Sequence, residues 1–204
     1  MTIDPDLQRR LIKTVAERVI LHTDELVALD RAIGDGDHGL NMKRGFEAVL
    51  ADLDKFSAMP LDESLKGVGM ALVMKVGGAS GPLYGSLFIA LGKSLPAQAD
   101  RAGLAQAFAA AVDAVKARGK SDVGQKTMID VLVPVLSVLK DAQSNLPARL
   151  CAAAQEAANA TIPVRAQRGR ASFLGERSIG HMDPGARSAA LMVCAVVDVM
   201  EGKA

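Results

Sequence analysis

Apolar side chains recur at steps of three and four residues along most of this sequence. An α-helix makes one turn in 3.6 residues, so this spacing puts the apolar residues on one helix face. The alternation with a period of two that marks β-strands is absent. The sequence therefore predicts an all-α fold and argues against an α/β nucleotide-binding fold. In the first predicted helix, 6–29, the periodic residues are Leu7, Leu11, Ile12, Val15, Val19, Leu26 and Leu29.

Helix-breaking residues divide the chain into about eight helices. Pro134 lies inside the sixth of them, where its ring should kink or break the helix. Half of the 204 residues are hydrophobic but only 3% are aromatic, so aliphatic side chains must build the core. This length fits one domain, 1–204. The predicted helices are 6–29, 40–53, 61–76, 82–95, 102–117, 127–141, 147–162 and 184–200.

The composition excludes several classes of protein. The net charge is +1 and no long charge run occurs, which argues against nucleic-acid binding and against an anionic membrane surface. No apolar run approaches the roughly 20 residues of a membrane span, and the N-terminus does not have the pattern of a signal peptide. Cys151 and Cys194 lack the neighbours of a zinc site. They could form a disulfide, but a reduced cytoplasmic chain is the simpler expectation.

Three aspartates, Asp30, Asp35 and Asp37, are interleaved with glycines in one short stretch. Carboxylate oxygens are hard ligands that suit Mg²⁺ or Ca²⁺, and glycines let the backbone bend enough to bring the three together. Asp and Gly are also ordinary turn residues. The spacing alone therefore leaves a metal site and a polar turn equally open.

Glycine-rich loops also occupy 77–82, 119–127 and 165–185. Free N–H groups at a helix start favour anions, so the 77–82 loop could hold phosphate. The Walker, Rossmann and EF-hand patterns all fail here. His38, His181, Arg170 and Arg177 could contact phosphate, or could simply belong to turns and surface.

Four segments resemble one known family in its own order. They are IGDGDHGLNM at 33–42, GGASGPLYG at 77–85, GQKTMID at 124–130 and RASFLGERSIGHMDPG at 170–185. Together they resemble the ADP-binding L subunit of dihydroxyacetone kinase over nearly the whole chain. The resemblance implies a closed barrel of about eight antiparallel helices with the nucleotide site in loops at one end.

The resemblance also implies ligands for individual residues. Two Mg²⁺ ions would be held by Asp30, Asp35 and Asp37. Arg170 would face the phosphates of ADP or ATP. The phosphates and ribose would contact His38, Gly39, Leu40, Asn41, Ala79 and Ser80. The adenine end would contact Gly119, Met128, Asp183, Pro184 and Gly185.

The implied activity is phosphoryl transfer to dihydroxyacetone, held covalently by a histidine of a partner kinase subunit. Bound ADP would be rephosphorylated in place by a phosphohistidine phosphocarrier subunit of a phosphotransferase system. Alternatives are a kinase component for another small ketose or polyol, a fragment of a fused kinase, and a regulatory module whose ADP state a transcription factor reads. A purely structural bundle would have no ligand at the aspartates.

Overall fold

A computed structural model describes residues 3–98, 100–141 and 144–204. Its described residues form helices and contain no strand, which confirms the all-α prediction. The α-helices are α1 Pro5–Leu21, α2 Thr23–Ile33, α3 His38–Ala51, α4 Leu53–Ser57, α5 Leu61–Lys75, α6 Ser80–Ser94, α7 Arg101–Gly119, α8 Ile129–Lys140, α9 Leu146–Ala160 and α10 Pro184–Met200, with a 3-10 segment at Arg170–Ser178.

Neighbouring helices bury one aliphatic core. Successive helices from α5 to α10 contact one another, α10 also contacts α1, α1 contacts α3, and α3 contacts α5. The core is mostly Ala, Val, Leu and Met, with few aromatic rings, as the composition requires. Helix α10 contributes many small side chains to it, which lets neighbouring helices approach closely.

Helices α5 and α6 approach each other closely through paired glycines. A Cβ atom on Gly69 would lie 2.9 Å from the Gly85 carbonyl oxygen, and one on Gly85 would lie equally close to that of Gly69. No side chain fits at such a distance, so glycine is required at both positions. This packing fixes the start of α6, which carries the 77–82 loop.

The structure corrects three predictions about helices. The helix predicted over 6–29 is divided at His22, where the Thr23 hydroxyl donates to the Ile20 carbonyl oxygen at 2.6 Å and begins α2. A short helix, α4, follows α3 and was not predicted. Pro134 does not break its helix: α8 runs from Ile129 to Lys140 across it, although the missing N–H removes one helical hydrogen bond.

The expectation of reduced cysteines is wrong for this structure. Cys151 on α9 and Cys194 on α10 form a disulfide, with their Cα atoms 4.7 Å apart. The two helices pack side by side, and this brings together two residues that are 43 positions apart in the sequence. In the described part of the chain, no helix combines the length and the apolar character that crossing a bilayer would need.

Candidate nucleotide and metal site

The loops singled out by their glycines meet around one cavity of about 670 Å³. Residues distant in sequence line it: the aspartate loop after α2, the turn before α6, the α7–α8 connection, and the segment that precedes α10. Its walls therefore combine all four segments that carried the family resemblance. The lining residues include Asp30, Asp35, Asp37, His38, Gly77, Gly78, Ala79, Ser80, Gly119, Met128, Arg168, Arg170, Asp183, Pro184 and Gly185.

Four helices begin at this cavity. His38 starts α3, Ser80 starts α6, Met128 caps α8 and Pro184 starts α10, and all four residues are part of the lining. The first N–H groups of each helix lack partners within the helix, and the helix dipole adds partial positive charge there. Four such ends around one space suit a ligand with several negative charges.

The three aspartates form a compact carboxylate cluster at one end of the cavity. One oxygen of each lies within 4.8 Å of the others. Asp30 is buried at the end of α2, whereas Asp35 and Asp37 are exposed. Three hard oxygen donors at this spacing fit Mg²⁺, and their mutual repulsion favours a cation among them.

The backbone around Asp30 holds its carboxylate in place. The His38 backbone N–H donates to Asp30 Oδ2 at 3.1 Å. A Cβ atom on Gly34 would lie only 2.2 Å from Asp30 Oδ1, so a side chain there would displace the carboxylate. The close approach of the Asp30 carboxylate thus explains why residue 34 is a glycine.

Arg170 lies beside the same carboxylates. Its Nη2 is 3.1 Å from Asp35 Oδ2, and both side chains are partly open to solvent. A guanidinium has five N–H donors, so this pair leaves others for an anion. Arg170 therefore lies at the carboxylate cluster with donors available for an anion.

The His38 ring is buried and held on both sides. Its Nδ1 lies 3.0 Å from Ser80 Oγ, and its Nε2 lies 3.0 Å from Ser188 Oγ. Burial lowers the pKa of His38, although Asp30 and Asp37 oppose that shift, so the ring favours its neutral form. With both nitrogens engaged, the ring joins the starts of α3, α6 and α10.

Ser188 extends this contact into a buried network. Tyr84 Oη lies 2.6 Å from Ser188 Oγ and also donates to the Gly185 carbonyl oxygen at 3.1 Å. Burial raises the pKa of Tyr84, so its hydroxyl keeps its proton. We call the side chains of His38, Ser80, Tyr84 and Ser188 the buried network.

Part of the cavity lining is apolar. Leu83, Val115 and Met128 line the cavity together with Gly119 and the turn at 183–185. Asp183 begins this turn, and its Oδ2 accepts the Ala186 N–H at 2.7 Å, which caps α10. Burial raises the pKa of Asp183 to about 7 against the opposing effect of that hydrogen bond.

Three residues of the predicted ligand set do not line the cavity: Gly39, Leu40 and Asn41. Gly39 packs on α2, where a Cβ atom would lie 2.3 Å from the Thr23 carbonyl oxygen. Leu40 is 55% exposed. Asn41 is buried against Gly77 and accepts a hydrogen bond from Arg44, so it supports the 77–78 turn.

Two further candidates for phosphate contact lie outside the cavity. His181 and Arg177 are exposed outside the lining. Among the residues that line or support the site, the sequence interpretation missed Tyr84, Lys126, Thr127, Arg168 and Ser188. Three of these residues, Tyr84, Lys126 and Thr127, lie within the four segments that carry the family resemblance, so the resemblance offered a signal for them. Arg168 and Ser188 lie outside those motifs, in a loop and in a helix of common residue types.

Residues 32–198 match the family model described as the DAK2 domain, and the chain belongs to this family. Similar proteins show which group within this family the chain resembles. It is 43% identical to the "PEP-dependent dihydroxyacetone kinase 1, ADP-binding subunit DhaL" of Listeria innocua, over 97% of this chain and 98% of that protein. It is 45% identical to the corresponding Escherichia coli subunit over 84% and 85% of the two chains. The resemblance read from the four motifs is confirmed.

The fold is also similar to that of a larger kinase. The dihydroxyacetone kinase of C. freundii, solved in complex with AMP-PNP and Mg²⁺, superposes with a TM-score of 0.75 at 27% identity. The match covers 97% of this chain but 34% of the kinase, so this chain spans about a third of that protein.

Proposed function

We propose that this chain is the ADP-binding subunit of a dihydroxyacetone kinase that depends on phosphoenolpyruvate. It would bind ADP or ATP with Mg²⁺ and deliver the γ-phosphate to dihydroxyacetone held by a partner kinase subunit. The observation that carries this proposal is the carboxylate cluster at one end of a cavity on which four helix N-termini converge. The activities named for the two bacterial relatives support it.

The cavity suggests how the nucleotide lies. Its phosphates would lie at the carboxylate end, near Ala79, Ser80 and Arg170. Its adenine would lie at the apolar part of the lining, near Gly119, Met128 and the 183–185 turn. His38 would support this site through its ring, and its backbone N–H already holds Asp30. Asn41 would act through the 77–78 turn, and Gly39 and Leu40 through the first turn of α3.

Charge balance supports more than one cation. A nucleoside diphosphate and three carboxylates carry about six negative charges, and two Mg²⁺ ions would offset about four of them. Asp30, Asp35 and Asp37 are the residues that would hold these ions. When bound, Mg²⁺ supplies Lewis acidity at the phosphate oxygens.

The protein's own contribution to the reaction would be positioning and charge. Phosphoryl transfer requires little covalent chemistry from a kinase, so what matters is where the phosphates are held. Arg170 and the starts of α3 and α6 would supply donors and positive charge to the phosphates. The buried network keeps three of those helix starts at fixed spacing.

The helix contacts support a closed barrel. The pairs from α5 to α10, continued through α1 and α3 back to α5, form a cycle of eight helices. We infer that this cycle is the eight-helix barrel that the family resemblance implies, within a single domain over 1–204. The nucleotide cavity would lie at the end where α3, α6, α8 and α10 begin.

The remaining partners follow from the same proposal. The relatives are named as one subunit of a dihydroxyacetone kinase, so the acceptor sugar would be bound by the partner subunit. A phosphohistidine phosphocarrier would regenerate ATP in place, as expected for a cytoplasmic enzyme driven by phosphoenolpyruvate. A transcription factor that reads the ADP state stays a prediction.

The test is acid extraction of the purified chain, followed by chromatography of the released small molecules. Near-stoichiometric ADP would support a nucleotide held as a cofactor. An empty protein that binds ATP and Mg²⁺ reversibly would instead indicate an ordinary ATP-dependent kinase subunit. Absence of binding by either nucleotide would overturn the proposal.

A further inference from the structure

Lys126 is a buried cationic side chain in the turn that precedes α8. It is 1% exposed, lines the cavity, and in the described residues its ammonium contacts backbone carbonyl oxygens rather than a carboxylate. A buried ammonium is costly unless its N–H groups are all satisfied. Its environment therefore has to compensate for its burial.

Backbone carbonyl groups provide that compensation. Lys126 Nζ donates to the carbonyl oxygens of Thr161 at 2.7 Å, Val164 at 3.0 Å and His181, and the Ile162 carbonyl oxygen lies farther away at 3.4 Å. An ammonium has three N–H groups, so the three shortest bonds use all of them. Lys126 has no donor left for a ligand, which argues against a direct contact with phosphate.

The backbone at Lys126 is unusual as well. Its φ is +62°, in the left-handed region where glycine or asparagine is the ordinary choice. Because Lys126 is also buried and hydrogen-bonded through its ammonium, its side chain has a structural task that glycine could not perform. Burial lowers the pKa of Lys126, and the nearby Asp183 and Asp130 oppose that shift.

The segment that Lys126 holds carries residues from both ends of the cavity. Residues 161–181 include Arg170, and they lead directly into the 183–185 turn. Thr161 joins Lys126 to this turn, because its carbonyl oxygen accepts from Lys126 Nζ and its Oγ1 accepts the Asp183 N–H at 3.0 Å. The Gln167 N–H also donates to the Gln125 carbonyl oxygen at 3.2 Å, so a second point of the segment, three residues before Arg170, is bonded to the turn that contains Lys126.

We propose that Lys126 is a positioning residue that sets the distance between the phosphate end and the adenine end of the nucleotide cavity. Its ammonium ties residues 161–181 to the start of α8, and so holds Arg170 and the 183–185 turn at a spacing that one nucleotide can bridge. This inference rests on the proposed function. It adds a residue that acts through the backbone rather than on the ligand.

The test uses two variants and one control. Lys126→Met keeps the apolar stem without the ammonium, and Lys126→Ala leaves a space that n-propylammonium can fill. Lys93→Met changes an exposed lysine on α6 and serves as the matched control. Calorimetry would measure the Kd for ADP with Mg²⁺ and, separately, for Mn²⁺ alone.

Both Lys126 variants should weaken ADP binding about ten-fold or more, because each loses three charge-assisted hydrogen bonds. Mn²⁺ binding at the aspartates should not change, and the control should bind ADP like the wild type. Adding n-propylammonium to Lys126→Ala should restore ADP affinity, whereas tetramethylammonium, which has no N–H donor, should not. If Lys126→Met fails to fold, Lys126→Gln takes its place and should still bind ADP more weakly than the wild type.

A folded Lys126 variant with wild-type ADP affinity would overturn the inference, and so would equal rescue by both amines. Trypsin cleavage after the exposed arginines at 165–177 gives a readout that needs no nucleotide. It should accelerate in both Lys126 variants, and cleavage at the wild-type rate would also contradict the inference. If the wild type itself binds no nucleotide, the proposed function fails, and this cleavage rate alone decides whether Lys126 holds the segment.

Discussion

The carboxylate cluster and the buried network lie next to each other but are built in opposite ways. The carboxylate cluster is largely exposed, at Asp35 and Asp37, as is the neighbouring Arg170. Its negative charges outnumber the positive charge of Arg170, and the guanidinium still has N–H donors available for a ligand. In the buried network, each polar side chain finds its partner within the protein. Ligand binding should therefore depend mainly on the carboxylate cluster, and the stability of the fold should depend mainly on the buried network.

The largest effect is expected from Asp37→Asn, with Asp35→Asn as its companion. Each removes one charged oxygen donor from the proposed magnesium site, so the affinity for ADP with Mg²⁺ should fall about 100-fold, or about 2.7 kcal/mol. Because the side chains are exposed, the free energy of unfolding without metal should change by about 0.5 kcal/mol or less. Calorimetry and urea unfolding measure the two quantities. Unchanged affinity in both variants would remove the metal assignment.

Ser188→Val tests the other region. It removes a buried hydroxyl and leaves the His38 and Tyr84 side chains each short of a partner, so the free energy of unfolding should fall by about 2–3 kcal/mol. Tyr84→Phe, which removes only one hydroxyl from the same network, should cost about 1 kcal/mol. Urea denaturation of both variants checks this order. A valine variant as stable as the wild type would show that the network contributes no stability.

Asp183→Asn should alter the dependence of stability on pH. The folded-state pKa of Asp183 is about 7, above the value of about 3.9 for an unfolded aspartate. Between these values the folded state keeps a proton that the unfolded state has lost, so this group lowers stability as the pH rises toward 7. Its slope is at most about 1.4 kcal/mol per pH unit. Asparagine can still cap α10 but does not titrate.

The measurement for Asp183→Asn is urea unfolding of variant and wild type from pH 4.5 to 8. The variant should gain stability relative to the wild type through this range and level off above pH 7. A constant difference between the two proteins would mean that Asp183 titrates normally in the folded state.

The smallest effect is expected from Phe173→Ser. Phe173 is 89% exposed in the 3-10 segment, three residues after Arg170. Since its ring buries almost no surface in this chain, the free energy of unfolding and the ADP affinity should both stay within about 0.5 kcal/mol of the wild type. A larger loss of stability would show that the segment packs more tightly than the structure indicates.

The same contrast explains what could be predicted from the sequence. The helices were predictable because apolar periodicity reports directly on burial, and the aspartate loop was predictable because its chemistry lies within a few consecutive residues. The break at His22 was not predictable, because apolar spacing continues across it and the break is marked by local hydrogen bonds of His22 and Thr23.

The buried network was not predictable for a different reason. Ser188 lies 150 positions from His38, in a helix whose composition is ordinary. The family resemblance implied that His38 contacts phosphate or ribose, and nothing in the sequence indicated that its ring would be engaged with Ser80 and Ser188. Lys126 was quoted within a motif, but its role depends on carbonyl groups of a distant segment. Contacts of this kind leave no pattern in a single sequence.

The most direct test of the central claim is titration of ADP into nucleotide-free protein, once with excess Mg²⁺ and once with EDTA. If the carboxylate cluster holds the phosphates through metal ions, binding should be tight with Mg²⁺ and at least about 100-fold weaker with EDTA, because the aspartates would then repel the phosphates. Equal affinity under both conditions would contradict a metal-bridged nucleotide site.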